Sequence, residues 1–304
     1  MSLLPQREVS TVQLGPDSNR YFPHRLGVLQ EDLHCGQFGV RRRNGLWQGI
    51  PLSGPVNSFA TYAAQYQIYC DFALHSDIAR GTARLLGVEL MVNFNIPFAC
   101  RNMSDFWRRW HISLSTWLRD YLFIPLGGSR GSPLFVVRNV MITMTLAGLW
   151  HGARVNFILF GAYVGVLITL HRLSQPFLKR LEPRQPVALS AWNLACWAST
   201  LFIQLLPGFI MFRSESFEQI CTMCAAVPTG WQNFLHDPGL GMAARLLWFT
   251  WPLIIVEILQ YRSSNLMEPL TWSWPVRTLF YLVIFYLTVI FGEYNNLAFI
   301  YFQF

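Results

Sequence analysis

The run from Ser104 to Arg130 constrains this chain most. It reads Ser-Asp-Phe-Trp-Arg-Arg-Trp-His-Ile-Ser-Leu-Ser-Thr-Trp-Leu-Arg-Asp-Tyr-Leu-Phe-Ile-Pro-Leu-Gly-Gly-Ser-Arg. Tryptophans, arginines, hydroxyls and His111 share one stretch, while the other long segments of the chain are strongly apolar. A second histidine, His151, closes an apolar segment in Leu-Ala-Gly-Leu-Trp-His-Gly-Ala. Ionisable groups at membrane depth are expensive and by default functional. Two histidines on neighbouring segments therefore point to chemistry inside a bilayer.

Composition agrees. Only 13% of the 304 residues are charged and 53% are hydrophobic, against about 25% charged in ordinary soluble domains. Aromatic residues make up 15%, which suits interfacial belts of Trp and Tyr. The net charge of +7 is spread over the ends of apolar runs. A nucleic-acid binder would gather it on one solvated face, so no nucleic-acid partner is expected and the lipid bilayer is. Six cysteines, Cys35, Cys70, Cys100, Cys196, Cys221 and Cys224, are scattered along the chain. The single C-x-x-C of Cys221 and Cys224 reads as apolar filler ahead of a metal or redox site. No metal cluster, nucleotide-binding glycine loop, nucleophile elbow or internal repeat is present in the sequence.

The expected class is all-α, a polytopic helical membrane protein. Segments near 58–87, 134–151, 156–170, 188–212, 243–260 and 276–291 approach the length of about 20 mainly apolar residues that spans a bilayer. Pro207-Gly208 should kink the fourth. The segment 104–123 is too charged to face lipid. It reads as one helix lying at an interface or lining a protein interior, with Ser104 as N-cap and Pro125 and Gly127-Gly128 as its stop. On such a helix Trp107, His111 and Ser115 would share a face. Arg172, Lys179, Arg180 and Arg184 lie in one loop, whereas 213–242 holds only Arg213, and the positive-inside rule puts the first in the cytoplasm.

Arg-Arg-Trp-His-Ile-Ser-Leu-Ser-Thr-Trp-Leu-Arg-Asp-Tyr followed by Ile-Pro-Leu-Gly-Gly resembles the membrane-bound O-acyltransferase (MBOAT) superfamily, in particular its bacterial alginate O-acetylation branch. Gln67-Ile68-Tyr69-Cys70-Asp71-Phe72 with Ser76-Asp77-Ile78-Ala79 resembles the family's helix before that signature. Asn93 to Phe98 resembles its connecting loop, and Leu146 to Ala153 the block holding the family's catalytic histidine. Phe212-Arg213 with Ser216-Phe217-Glu218, and Phe299 to Phe304, resemble its closing third. Ala73-Leu74-His75 departs from the family's small-residue and tyrosine run.

The resemblance starts near Pro51 and implies a partial MBOAT-type fold over 51–304. Family members carry further transmembrane helices before the block at Gln67. Residues 1–50 are Pro-, Gly- and Arg-rich and are expected to be irregular, with no packed membrane helix. Suitable codons for Leu29 to Phe38, read one base later, give Phe-Lys-Lys-Thr-Cys-Ile-Ala-Asp-Asn, similar to a family segment just upstream of that block. The first fifty residues are accordingly expected to be frameshift-derived.

The implied activity is O-acyl transfer of an acetyl or short acyl group toward hydroxyls of an exported polysaccharide such as alginate. A neutral histidine suits the step, because a base must take the acceptor's hydroxyl proton. His151 is the candidate base and a packing histidine is the alternative. His111 is a second catalytic candidate, weighed equally against a structural role. Arg108, Arg109 and Arg119 are candidates for phosphate groups of an acyl donor, against pairing with Asp105 and Asp120. Trp107, Ser115 and Trp150 complete the candidate donor or substrate contacts. Asp71 and Asp77 read as partners of nearby arginines. No bound cofactor is implied; acetyl-CoA or an acyl carrier would be the co-substrate. Implied partners are periplasmic or extracellular polysaccharide-acetylation proteins, and the implied location is the bacterial inner membrane. Two other readings stand: an inactive fragment of the family, and a non-enzymatic transport or channel subunit, which should show repeated, broken helices.

Overall fold

A computed structural model describes residues 53–183 and 185–291; the expectations for residues 1–50 and for Phe299 to Phe304 lie outside them. The described residues form helices joined by short turns, with no strand among them.

Helix α1 covers Gly54–Leu85. Ser53 caps it by accepting from the Val56 N–H at 3.3 Å, and Pro55 sits in its first turn, where its missing N–H costs nothing. The polar signature forms α2, Met103–Arg109, and α3, Ile112–Leu118, followed by a π-helical segment, Arg119–Phe123. Then come α4, Pro133–His151, and α5, Val155–Leu181. Helix α6, Pro186–Ser199, passes through a π-helical segment, Thr200–Leu205, into α7, Leu206–Arg213. Helices α8, Phe217–Ala226, α9, Pro238–Ser263, the single turn α10, Glu268–Thr271, and α11, Trp274–Phe291, complete the order.

Among the described residues, four stretches are long and apolar enough to cross a membrane: Pro133–His151, Val155–Leu181, Leu189–Arg213 and Pro238–Ser263. They coincide with four of the six expected segments. Trp274–Leu287 is apolar but shorter, and the polar second half of α1 keeps it outside that group. Helix α5 runs eleven residues past its expected end at Leu170, through Pro176. The apolar run stops at the membrane edge, but the Leu, Lys and Arg that follow are good helix formers.

Helices α4 and α5 form an antiparallel hairpin packed on glycine. A methyl group at Gly148 would strike the Phe157 carbonyl, and one at Gly161 would strike the Met144 carbonyl. Small residues that let two backbones approach are the usual glue between helices in lipid. Helix α1 packs on α9, where the Tyr69 hydroxyl donates to Glu257 Oε1 at 2.6 Å. Glu257 is a buried carboxyl in a membrane-length helix, and it is satisfied by a partner as such groups must be. Between α1, α5 and α7 lies an aromatic core that includes Tyr69, Phe98, Phe106, Trp110, Phe160 and Phe209.

The expected single helix from Ser104 to Phe123 is overturned. Asn102, not Ser104, is its N-cap, accepting from the Asp105 N–H at 2.8 Å. The chain then breaks between Arg109 and Ile112. Trp110 is extended and His111 takes a left-handed conformation, φ 45° and ψ 53°. Periodicity could not show this, because the break is made by tertiary bonds from Asn93. The Pro207 disturbance appears as the π-helical segment just before it. Pro207 cannot donate to the Ile203 carbonyl, as a helix requires. The Tyr163 hydroxyl donates there instead, at 2.9 Å, with the Gln204 carbonyl also within 3.2 Å.

Candidate active site

His151 occupies the last turn of α4. Gly152 follows because any side chain there would run into the Phe157 ring, 2.8 Å away. The imidazole is enclosed by rings: Phe212 at 4.9 Å, Trp150 at 5.1 Å, Phe157 at 6.1 Å and Phe160 at 6.3 Å between centroids. It lines an internal cavity of about 20 Å³ together with Trp107, Trp110, Gln204 and apolar side chains such as Ile68, Phe160 and Phe212. Such a volume admits about one water-sized group. Apart from His151, the side chains with polar groups among its lining residues are Gln204 and the two tryptophans.

His111 also neighbours Trp150. Its ring stands edge-on to Phe72 at 4.6 Å and to Trp150 at 5.9 Å. Trp150 therefore touches both imidazoles, but His111 is not among the residues that line the His151 cavity. A polar corner holds it. Asn93 Oδ1 lies 3.4 Å from His111 Nδ1 and accepts from Ser113 Oγ at 2.8 Å and the Ser113 N–H at 3.2 Å. The Asn93 carbonyl accepts from the Ile112 N–H at 2.9 Å, and Asn93 Nδ2 donates to Ser76 Oγ at 2.9 Å. One buried asparagine thus fixes the turn that the left-handed His111 requires.

An acceptor facing Nδ1 selects the Nδ1–H tautomer and leaves the Nε2 lone pair. Nε2 is buried and has no hydrogen-bond partner among the described residues. Burial first, and then the neighbouring His151 ring, push the His111 pKa down from 6.5 to about 3. The ring is neutral at physiological pH.

The helix break also separates the residues expected on one face. Trp107 reaches the His151 cavity, and its buried Nε1–H has no acceptor among the described residues. Ser115 donates to the Trp110 carbonyl at 3.3 Å, away from His111. The three arginines do not converge. Arg109 pairs with Asp105 at 3.0 Å, Arg119 with Asp120 at 2.7 Å, and Arg108 is exposed on α2. None of them lines the cavity. Asp77 pairs with Arg80 at 3.0 Å, as expected, and Asp71 lies 3.7 Å from His75. Cys221 and Cys224 are free thiols, and no group of three metal-ligating side chains occurs among the described residues. Asn93 and Gln204 were not among the candidate site residues. Asn93 sits in the block resembling the family's connecting loop, and Gln204 is the polar residue of an apolar run three positions before a proline.

The fold and the cavity together describe a polytopic helical membrane protein with a half-buried histidine at the end of a spanning helix. The profile of the membrane-bound O-acyltransferase family, MBOAT, matches residues 55–214. The chain belongs to that family and is a multi-pass membrane protein. It is 41% identical over 161 residues to the probable alginate O-acetylase AlgI of Pseudomonas aeruginosa, covering 53% of this chain and 29% of that protein. It is 37% identical over 154 residues to the peptidoglycan O-acetyltransferase of Helicobacter pylori, covering 50% of this chain and 28% of that one. With the teichoic acid D-alanyltransferase of Bacillus subtilis the identity is 30% over 168 residues, covering 53% and 42%. In each case the match spans less than half of the relative's length.

Proposed function

We propose that this chain is a membrane-embedded O-acyltransferase that moves an acetyl or similar short acyl group toward hydroxyls of an exported polysaccharide such as alginate. The observation that carries the reading is His151 on the wall of an apolar cavity, at the end of a spanning helix. His151 takes the proton as the acceptor hydroxyl oxygen attacks the acyl carbonyl carbon. The tetrahedral intermediate then collapses. The bond to the donor's leaving group breaks, and the imidazolium returns its proton to that group. One acyl group and one proton move, and nothing is oxidised or reduced.

The small cavity favours a short acyl chain, and its aromatic wall excludes bulk water that would otherwise hydrolyse the donor. Acetyl-CoA or an acyl carrier is the donor in this reading, and exported polysaccharide-acetylation proteins are its partners. The same reading places the chain in the bacterial inner membrane, and its four apolar helices support a membrane location. Arg172, Lys179 and Arg180 mark the cytoplasmic end of α5 by the positive-inside rule. His111 supports the site through Trp150.

The test is acetate content of the exported polysaccharide in cells carrying the full chain or His151→Ala. Loss of acetylation with normal membrane insertion of the variant is expected. Acetylation retained by the variant would remove His151 from the mechanism, and none in the unaltered chain would overturn the activity.

A further inference from the structure

The cavity offers a base, but acyl transfer also needs a donor where negative charge develops. Pro207 creates one at a distance of three residues. Its missing N–H leaves the Ile203 carbonyl to Tyr163 and forces the π-helical segment Thr200–Leu205. Such π-bulges often mark functional positions because they rotate a side chain out of its helical register. Here the side chain is Gln204, which lines the cavity with His151. Its Oε1 accepts from the Met103 backbone N–H at 3.1 Å. That bond fixes which way round the amide sits. The oxygen is committed to the start of α2, so the NH₂ group is left as the donor.

We infer that the Gln204 side-chain amide donates a hydrogen bond to the acyl carbonyl oxygen and stabilises the oxyanion formed when the acceptor attacks. The inference rests on the acyltransferase reading of the same cavity and adds a second catalytic residue to it. Amide donors of glutamine serve this purpose when they are held in place before the reaction. Gln204 is so held, by Met103 on one side and the Tyr163-supported backbone on the other. In a water-poor aromatic cavity its N–H acts at low dielectric, where such a bond is strongest.

The experiment uses membranes of the native host containing the full chain, supplied with acetyl-CoA, and measures acetyl transfer to the exported polysaccharide. Gln204→Met keeps the volume and removes the donor. Gln204→Glu keeps the acceptor for Met103 and loses the donor while the carboxyl is ionised. The thermal unfolding midpoint of each variant checks the fold. The expected result for Gln204→Met is a fall in kcat of about 100-fold, the usual effect of losing one such donor, with KM nearly unchanged. Gln204→Glu should also be slow at neutral pH. Its rate relative to the unaltered chain should recover as pH falls, because the protonated carboxyl regains an O–H donor.

Gln204→Met at full rate would overturn the inference. So would Gln204→Glu at full rate across the pH range, because Gln204 would then serve only to hold Met103. If the unaltered chain transfers nothing, or His151→Ala is as fast as the unaltered chain, the acyltransferase reading itself falls. A slow His151→Ala beside a fast Gln204→Met sinks the Gln204 role alone.

Discussion

The two histidines both neighbour Trp150 but live in different surroundings. His151 is ringed by Phe157, Phe160 and Phe212 and opens on a cavity. His111 is held by an asparagine and a serine, and its backbone is left-handed. A left-handed non-glycine residue costs of order 1–3 kcal/mol and persists only where its surroundings over-determine it. Asn93 supplies that determination. The difference teaches that one imidazole is positioned mainly by packed rings, whereas the other is positioned by a network of hydrogen bonds on Nδ1. In the proposed reaction His151 is the reacting ring and His111 shapes the wall behind Trp150.

The strongest way to break this comparison is to remove each imidazole in turn. His151→Ala should lower acyl transfer by at least about 100-fold, the low end for a lost general base, with little change in the unfolding midpoint. His111→Ala should do the reverse, lowering the midpoint and reducing the rate far less. Equal losses of rate with unchanged stability would show that both rings take part in proton transfer.

Asn93→Ala comes next in size. It removes the acceptor of the Ser113 and His111 contacts and the donor to the Ser76 hydroxyl. Leaving buried polar groups unpaired costs about 1–3 kcal/mol each, so a loss of several kcal/mol is expected. Thermal unfolding in detergent measures it. A midpoint within a degree or two of the unaltered chain would mean that the His111 turn is held by packing alone.

Much of this was legible in the sequence, and the part that was not has a physical cause. Length and apolarity mark α4, α5, the Leu189–Arg213 stretch and α9, because a bilayer imposes one length on every span. Trp150-His151-Gly152 was legible because only a residue without a side chain fits under Phe157. The break at His111 was not. Local periodicity favours one continuous helix through 104–123, and the decision is made by Asn93, which comes from another part of the chain. The same break moves Ser115 off the face it would have shared with Trp107. Gln204 was hidden because a proline's effect on a helix is readable, but the π-turn that aims one particular side chain depends on Tyr163 across the interface.

The smaller tests concern charge and a single hydroxyl. Because the folded His111 pKa lies below its unfolded value, the unfolded chain binds the extra proton between about pH 6.5 and pH 3. Stability should therefore be complete above pH 6.5 and fall as pH drops through that window, by up to about 1.4 kcal/mol per pH unit. Unfolding midpoints measured from pH 7 to pH 4 should decline more steeply for the unaltered chain than for His111→Gln, which cannot titrate. Parallel curves would place the ring in contact with solvent and remove burial as the reason for its neutrality.

Ser113→Ala should have the least effect. The serine hydroxyl donates to Asn93 Oδ1, but the Ser113 backbone N–H reaches the same oxygen. Asn93 Oδ1 thus keeps an N–H donor when the hydroxyl is gone, and no buried acceptor is stranded. The expected loss is one ordinary hydrogen bond, about 0.5–1.5 kcal/mol, with acyl transfer close to that of the unaltered chain. A loss as large as that of Asn93→Ala would show that the hydroxyl, and not the asparagine, carries the corner. His111 would then be oriented through the 3.3 Å contact between its Nδ1 and Ser113 Oγ, and the tautomer assigned to the ring would no longer follow, because that hydroxyl can either donate or accept.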